Sequence, residues 1–393
     1  MTCKDDTRTV WIIAGEASGD MYGARLAKAL KELCPGKITV AGMGGPAMRE
    51  AGVEILADSS ELGVVGLLEV FKNIGVFVKT FLKLDRLAAK VRPDAVILID
   101  YPGFNLRFAR RLWKKNITVI WYVSPQVWAW GKGRIPKLAK YCKKMLVIFP
   151  FEIETYAGTG LDVEFVGHPL LDMMRERFDP GAVRDPNKFL ILPGSRSHEL
   201  RKLLWPMLET IAELRRRHPE LTFAMSAARS SLREVISAII GDFAKTQPGE
   251  LPGIEIVCGD NIRLLQESGT ALCKSGTCTT ECAIAGLPIV AVYKLNPLTF
   301  IAARCLIKLF RGFFTITNII SNKMVYEELL QKEVNREMLT PAIERILPGG
   351  PRRPQVEADL AAIPELLSGG KSNASRNAAV AVLRTIGVSF SSE

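Results

Sequence analysis

The chain has 393 residues, 48% of them hydrophobic and 24% charged, and a formal net charge of +11. That balance is globular, the length fits two domains of ordinary size, and the basic surplus favours anionic partners. It excludes several classes: no Lys/Arg run has the density of a nucleic-acid arm, no aromatic series reads as a base-stacking motif, and no stretch reaches the ~18 uncharged apolar residues of a membrane span.

The N-terminal stretch MTCKDDTRTVWII does not read as a signal peptide, because acids precede a short apolar run. The first element is TVWIIAG (9–15), an apolar strand that stops at Gly15-Glu16-Ala17-Ser18-Gly19-Asp20, after which Leu26, Leu30 and Leu33 open a helical pattern. Gly15 and Gly19 permit close backbone approach, and the helix after them offers unpaired N–H groups. Two readings stand side by side: a cradle for a phosphate or sugar hydroxyl, or a plain turn with Ser18 or Asp20 as helix cap. ITVAGMGG (38–45) is the next strand.

From Leu67 to Val91 apolar residues fall at Leu67, Val70, Phe71, Ile74, Phe77, Val78, Phe81, Leu84 and Ala88, with Lys72, Lys79, Lys83, Arg86 and Lys90 off that stripe. This is a basic amphipathic helix, suited to a membrane interface or to a core with a solvated basic face. AVILID (95–100) ends in Asp100, where a carboxylate at a strand's carboxyl end can take a proton from a substrate hydroxyl or simply bond the turn before Pro102. ITVIWYVSP (117–125), MLVIFP (145–150) and VEFVGHP (163–169) complete a first set of continuous apolar strands, the pattern of a parallel sheet covered on both faces.

After FDPGAVRDPN (178–187), read as a linker, the pattern restarts with FLILPGSR (189–196), LTFAMSA (221–227), IEIVCGD (254–260), TALCKSGT (270–277) and PIVAVYK (288–294). Pro193-Gly194-Ser195-Arg196 combines a small-residue turn, a helix start and a guanidinium that can fork onto two oxygens of a diphosphate, or else is a helix cap with a surface Arg. Ser275, Gly276 and Thr277 repeat that position, and Glu281, one turn into the next helix, can accept ribose hydroxyls; the other reading is a helix capped by Thr277 or Thr279 with a solvated Glu281. Cys273, Cys278 and Cys282 are spaced C-x4-C-x3-C; with no fourth ligand evident, they read as small buried residues around a turn, and no metal or cofactor is expected. The eight cysteines are scattered, as in a reducing cytosol. A second basic apolar piece, 298–314, places Arg304, Lys308 and Arg311 where anionic head groups would meet them. Two doubly wound α/β domains facing across a cleft follow: 1–177 and 188–347, with 178–187 as linker and 348–393 as a tail ending in a helix.

GEASGD (15–20), the D-x-P-x-F-N of Asp100, Pro102, Phe104 and Asn105, YVSPQVWAW (122–130), FVGHPL (165–170), LPGSR (192–196), SGT-x-T-x-E (275–281) and TNII (317–320) together resemble the lipid-A-disaccharide synthase family. The resemblance implies a GT-B fold and an inverting transfer of 2,3-diacylglucosamine from its UDP derivative to 2,3-diacylglucosamine 1-phosphate, at the cytoplasmic face of an anionic inner membrane. It implies Asp100 as general base, and Arg196 with Gly194 and Ser195 on the diphosphate. It also implies Ser275, Gly276, Thr277 and Glu281 on phosphate and ribose, and Asn318 in a site where Thr317 replaces the family's proline. Gly15, Glu16, Ser18 and Gly19 become the first domain's lip on the sugar nucleotide, with Glu16 and Asp20 either orienting hydroxyls or holding the turn. Leu67, Phe71, Ile74, Phe77, Val78, Phe81, Arg304, Lys308 and Arg311 become the membrane and acyl contacts. A homodimer is among the assemblies the sequence allows. The rival readings are a UDP-N-acetylglucosamine 2-epimerase-like isomerase, another lipid-linked GT-B glycosyltransferase (whose G-x-G-G-H turn is absent here) and a non-catalytic basic membrane-surface protein.

Overall fold

A computed structural model of the chain describes residues 7–59, 74–128, 131–247, 249, 251–259, 261–294 and 312–390. They fall into two units, Met1–Pro169 with Leu367–Glu393, and Leu170–Leu366.

The first unit is built on seven strands: β1 Arg8–Ala14, β2 Ile38–Gly44, β3 Glu54–Asp58, β4 Ala95–Ile99, β5 Thr118–Tyr122, β6 Lys144–Val147 and β7 Asp162–Phe165. Their order is β3-β2-β1-β4-β5-β6-β7, and every pairing is parallel. Val10–Ala14 and all of β4 are buried, because helices cover both faces. Trp11, Trp121, Phe104 and Phe108 are the bulkiest members of the core on one face. Helix Pro102–Trp113 starts on a proline, which suits a first turn that has no use for the N–H, and buries Phe104, Phe108 and Leu112 at successive turns.

Helix Ile74–Val91 packs on that helix. Phe77 and Phe81 meet Phe104 edge-on, with ring centroids 5.1 and 5.3 Å apart. Buried Asp85 accepts from Arg111 (Nη2–Oδ2 2.7 Å) and from Lys115. Burial would raise that carboxyl, but the two cations bring it below its ordinary range.

The last helix, Ala374–Thr385, also belongs to this unit and packs on helix Ala17–Leu33. It is capped by Asn373, whose side chain accepts from the Arg376 amide, and it buries Ala378, Ala379, Ala381, Val382 and Leu383. Asn377 Nδ2 donates to the Val166 carbonyl at 3.0 Å, and the His168 amide to the Leu367 carbonyl at 3.0 Å. The FVGHPL motif is thus where the returning chain is fastened. His168 is fully enclosed, and burial pushes its imidazole down to about 4, so it is neutral at physiological pH.

The second unit has six strands: β8 Asp185–Leu192, β9 Thr222–Ala227, β10 Ile254–Cys258, β11 Ser268–Lys274, β12 Ile289–Tyr293 and β13 Glu327–Leu330. The order is β10-β9-β8-β11-β12-β13, again all parallel. Helix Ser197–Arg217 buries Leu200, Leu204, Leu208 and Ile211, a stripe of helical period. The stretch 178–187, expected as a linker, is anchored in this unit. The Asp179 amide donates to Gln266 Oε1 at 3.0 Å, and Arg184 donates to the Ala285 and Gly286 carbonyls, both at 2.6 Å, closing the C-terminal end of helix Thr277–Ile284. The chain enters the unit at Leu170 and leaves it at Leu366. Numbered within each unit, both sheets read 3-2-1-4-5-6, with one further strand on the first, and each order reverses direction beside its first strand, at β1/β4 and at β8/β11. Ligands of open α/β sheets gather at the carboxyl side of that reversal.

Candidate functional site

In the first unit β1 and β4 end side by side, Ala14 paired with Ile99. The turns that follow are therefore neighbours. A Cβ on Gly15 would lie 2.2 Å from Tyr101 Cδ1, so only glycine fits beneath that ring. Gly19 brings helix Ala17–Leu33 onto the sheet, with Ala14 and Ile99 at 3.4 and 3.5 Å from its Cβ position. Glu16 and Ser18 are exposed. The two acids of GEASGD have separate roles. Asp20 is buried and accepts from the amides of Gly45 (2.7 Å), Ala47 (2.9 Å) and Met48 (3.1 Å), so it caps helix Pro46–Glu50 from inside. Glu16 alone remains at the sheet's edge.

Asp100 and Tyr101 both adopt left-handed backbone, φ 42° and 44°, and Val123 at the end of β5 does so too, φ 63°. Such conformations cost on the order of 1 kcal/mol each outside glycine, and they gather where a site dictates side-chain direction. Neighbouring groups hold them. Asn105 Nδ2 donates to the carbonyls of Ile99 (3.1 Å) and Asp100 (2.8 Å), the Asp100 amide to Tyr122 O (3.1 Å), and the Val123 amide to Leu146 O (3.0 Å). This explains the D-x-P-x-F-N spacing: Asp100 is the presented group, Pro102 starts the helix, Phe104 anchors it, and Asn105 clamps the turn. Asp100's carboxyl is pushed up to about 6, first by burial and then by the charge of Glu16, with the Tyr101 amide opposing. Tyr101's hydroxyl is raised by the same burial and the same Glu16.

Beside this turn the loop after β5 covers a buried polar cluster that the sequence reading missed. Ser124 Oγ and Tyr156 Oη share a bond of 2.7 Å, and Glu152 accepts from the amides of Ile148 (3.3 Å) and Phe149 (3.1 Å). Burial drives the Glu152 carboxyl up to about 8, against the hydrogen bonds it accepts.

In the second unit β8 and β11 also end together, Leu192 paired with Cys273. Gly194 has φ 118°, and Ser195 and Arg196 are exposed at the start of helix Ser197–Arg217. Across from them Ser275, Gly276 and Thr277 open helix Thr277–Ile284. Neither helix receives a side-chain cap, so their first N–H groups face outward from the strand ends. Half-buried Glu281 sits one turn in; burial raises its carboxyl and Arg177 opposes. Beneath the Gly194 turn lie Glu199 and Lys274, neither singled out by the sequence reading.

Asn318 is a correction. Its Nδ2 donates to Tyr326 O and Glu328 Oε1, both at 2.8 Å, and its Oδ1 accepts the Tyr326 amide at 2.8 Å. The amide is fully used inside the unit, where it ties helix Ile316–Ser321 to β13, so it is not offered to a ligand. Phe77 and Phe81 are corrected likewise: their rings face Phe104 and Phe108 in the core, while Val78 on the opposite side is 47% exposed. Leu67, Phe71, Arg304, Lys308 and Arg311 lie outside the described residues, and of Ile74 only its place at the start of a helix is described. The pKa of Cys273 and of Cys282 is raised chiefly by burial, and that of Cys278 chiefly by its bond to Cys273, so all three are protonated thiols. Among the described residues no group of three or more His, Cys, Asp or Glu is placed to hold a metal ion. An open depression lined by Arg215, Thr222, Phe223 and Glu255 lies at the amino ends of β9 and β10, away from these loops.

Two parallel sheets of one strand order, each with glycine turns at its reversal, are the architecture of the GT-B class. Within that class, the chain belongs to the lipid-A-disaccharide synthetase family, whose model matches residues 10–382. It is 36% identical over 391 residues to the lipid-A-disaccharide synthase of Geobacter sulfurreducens, covering 98% of this chain and 99% of that one. To the synthase of Trichlorobacter lovleyi it is 38% identical over 372 residues, covering 92% and 94%. Among solved structures it shares its fold with the UDP-GlcNAc 2-epimerase of Neisseria meningitidis bound to UDP-GlcNAc (TM-score 0.66, 12% identity, 96% and 100% covered). It shares it also with the calicheamicin glycosyltransferase (TM-score 0.58, 15% identity, 97% and 98% covered). The epimerase likeness is one of fold; the family match makes the chain a glycosyltransferase of lipid A biosynthesis.

Proposed function

We propose that the protein transfers a 2,3-diacylglucosaminyl group from its UDP derivative to the 6-hydroxyl of 2,3-diacylglucosamine 1-phosphate, with inversion. Asp100 takes the hydroxyl proton as the oxygen bonds to the anomeric carbon, and the bond from that carbon to the diphosphate oxygen breaks to release UDP. A carboxyl near 6 suits this step: it is ionised at physiological pH yet basic enough to accept a proton in the transition state. Tyr101 and Gly15 fix the wall beside Asp100, and Glu16 raises its basicity. In the second unit Arg196, the Gly194–Ser195 turn, the uncapped amides of both helices and Ser275–Thr277 neutralise the departing diphosphate, while Glu281 takes the ribose. The observation that carries the reading is Asp100, held in a strained turn at the carboxyl end of β4 against the Gly15–Glu16 turn of β1.

The test supplies both diacyl substrates in detergent and measures UDP and disaccharide 1-phosphate by mass spectrometry. Asp100→Asn is expected to lose roughly 100-fold or more of turnover, the range of a general base. Turnover within a few fold of the parent enzyme removes Asp100 from that role.

The acceptor and donor are acylated, and the reading places the enzyme on the anionic cytoplasmic face of a membrane. No helix among the described residues is long and apolar enough to cross one. What supports surface contact is the outer side of helix Ile74–Val91. There Val76, Val78 and Leu82 are exposed beside Lys79 and Arg86.

A further inference from the structure

We propose that Lys274 is a second cation of the diphosphate site, held ready by Glu199 and used directly by the phosphates of a nucleoside diphosphate. The inference rests on the UDP-binding reading of these loops and adds to it a residue the motifs do not contain. Lys274 is the last residue of β11, at the sheet's reversal. Its side chain touches both glycine turns: Cδ is 3.7 Å from the Cβ position of Gly194, and Nζ is 3.7 Å from that of Gly276. The ammonium therefore sits between the two loops on which the phosphates are to rest. It is held by Glu199 Oε1 at 2.9 Å and by the face of Tyr293, 5.1 Å from the ring centroid. Its side chain is only 11% exposed, against 50% for Arg196.

Glu199 makes the arrangement more than a core ion pair. The same Oε1 also lies 3.4 Å from Arg196 Nη1, so one carboxylate oxygen faces both cations. The other, Oε2, is buried without a hydrogen-bond partner among the described residues and lies 2.9 Å from the Cβ position of Gly194. A buried carboxylate with an unpaired oxygen is an incomplete solution for stability, but it serves to aim two cations at one place. An ammonium has three donors, and the Glu199 contact occupies one. Lys274 can therefore keep Glu199 and give a second hydrogen to a phosphate oxygen, without the reorganisation that a mobile surface lysine would undergo.

Calorimetry of UDP and UMP with the full chain tests this. Lys274→Met is expected to weaken UDP about tenfold, as loss of one charge-assisted contact would, and UMP by less. Because that variant strands the Glu199 charge beside the ligand, the double variant Glu199→Gln/Lys274→Met decides the cause. UDP affinity that stays low in the double variant supports a direct contact. Affinity restored to the parent value shows that Lys274 only neutralised Glu199 and overturns the proposal. Arg196→Ala is the control. If it weakens UDP while Lys274→Met does not, the diphosphate reading stands and this inference falls. If Arg196→Ala also leaves UDP unchanged, the reading beneath the inference falls with it.

Discussion

Asp100 owes its chemistry to three neighbours. Asn105 clamps the carbonyl of its left-handed turn, Tyr101 stacks over Gly15 beside it, and Glu16 adds a second negative charge at the same edge. A base proposed at Asp100 must be ionised to act, so kcat/KM should climb with pH through about 6 and level off above it. Glu16→Gln removes one of the two influences that raise the carboxyl, which moves the rising limb to lower pH. A limb that stays in place, or moves to higher pH, refutes the coupling. At this scale the sequence made the placement of Asp100 and Arg196 legible, each in the turn that follows a strand's carboxyl end. It was ambiguous where the motif residue is internal. Asp20 and Glu16 look alike in GEASGD, yet Asp20 bonds three amides 25 to 28 positions away, contacts that no local pattern records. Asn318 misled for the same reason: its partners lie across a turn, at Tyr326 and Glu328.

The inner strands with long β-branched runs were readable because they are buried on both faces. The two missed, β3 and β13, are edge strands reading EILAD and EELL, half-exposed and acidic, so they lack the apolar run that marks the others. Helix Ile74–Val91 shows the limit of periodicity: among the described residues of its stripe only Val78 departs from the core side, and the outward apolar residues Val76 and Leu82 lie off the stripe. Phe77, Phe81, Leu84 and Ala88 turn toward the core, while Val76, Val78 and Leu82 turn outward. Replacing Val78 and Leu82 with Ser is therefore expected to weaken binding to anionic liposomes at unchanged melting temperature. Phe77→Ser should instead lower the melting temperature, since a buried aromatic contact is lost. Liposome binding unaffected by the Val78 and Leu82 substitutions removes this helix from the membrane reading.

The whole chain is one unit inserted into another. Residues 170–366 form the second unit, and the segment after them returns to finish the first. Val382 and Leu383 alone bury side chains worth about 3 to 6 kcal/mol against that unit. Ending the chain after Leu366 should lower the melting transition of the first unit and expose helix Ala17–Leu33 to hydrogen exchange, while the second unit's transition stays near its original temperature. Equal protection of that helix in both forms would contradict the packing described. The pattern of two similar halves was visible in the sequence as a restart of strands. The return was not, because it depends on a small-residue face, Ala374 to Leu383, whose partner lies at the far end of the chain.

That return also sets an order of assembly on the ribosome. Domains usually fold in the order of their synthesis. Here the unit that begins first is completed after the second: residues 170–366 can emerge whole and fold while the earlier sheet still waits for its closing helix, Ala374–Thr385. A nascent chain stalled once residue 366 has cleared the exit tunnel should thus hold a protease-resistant second half behind a still-vulnerable first.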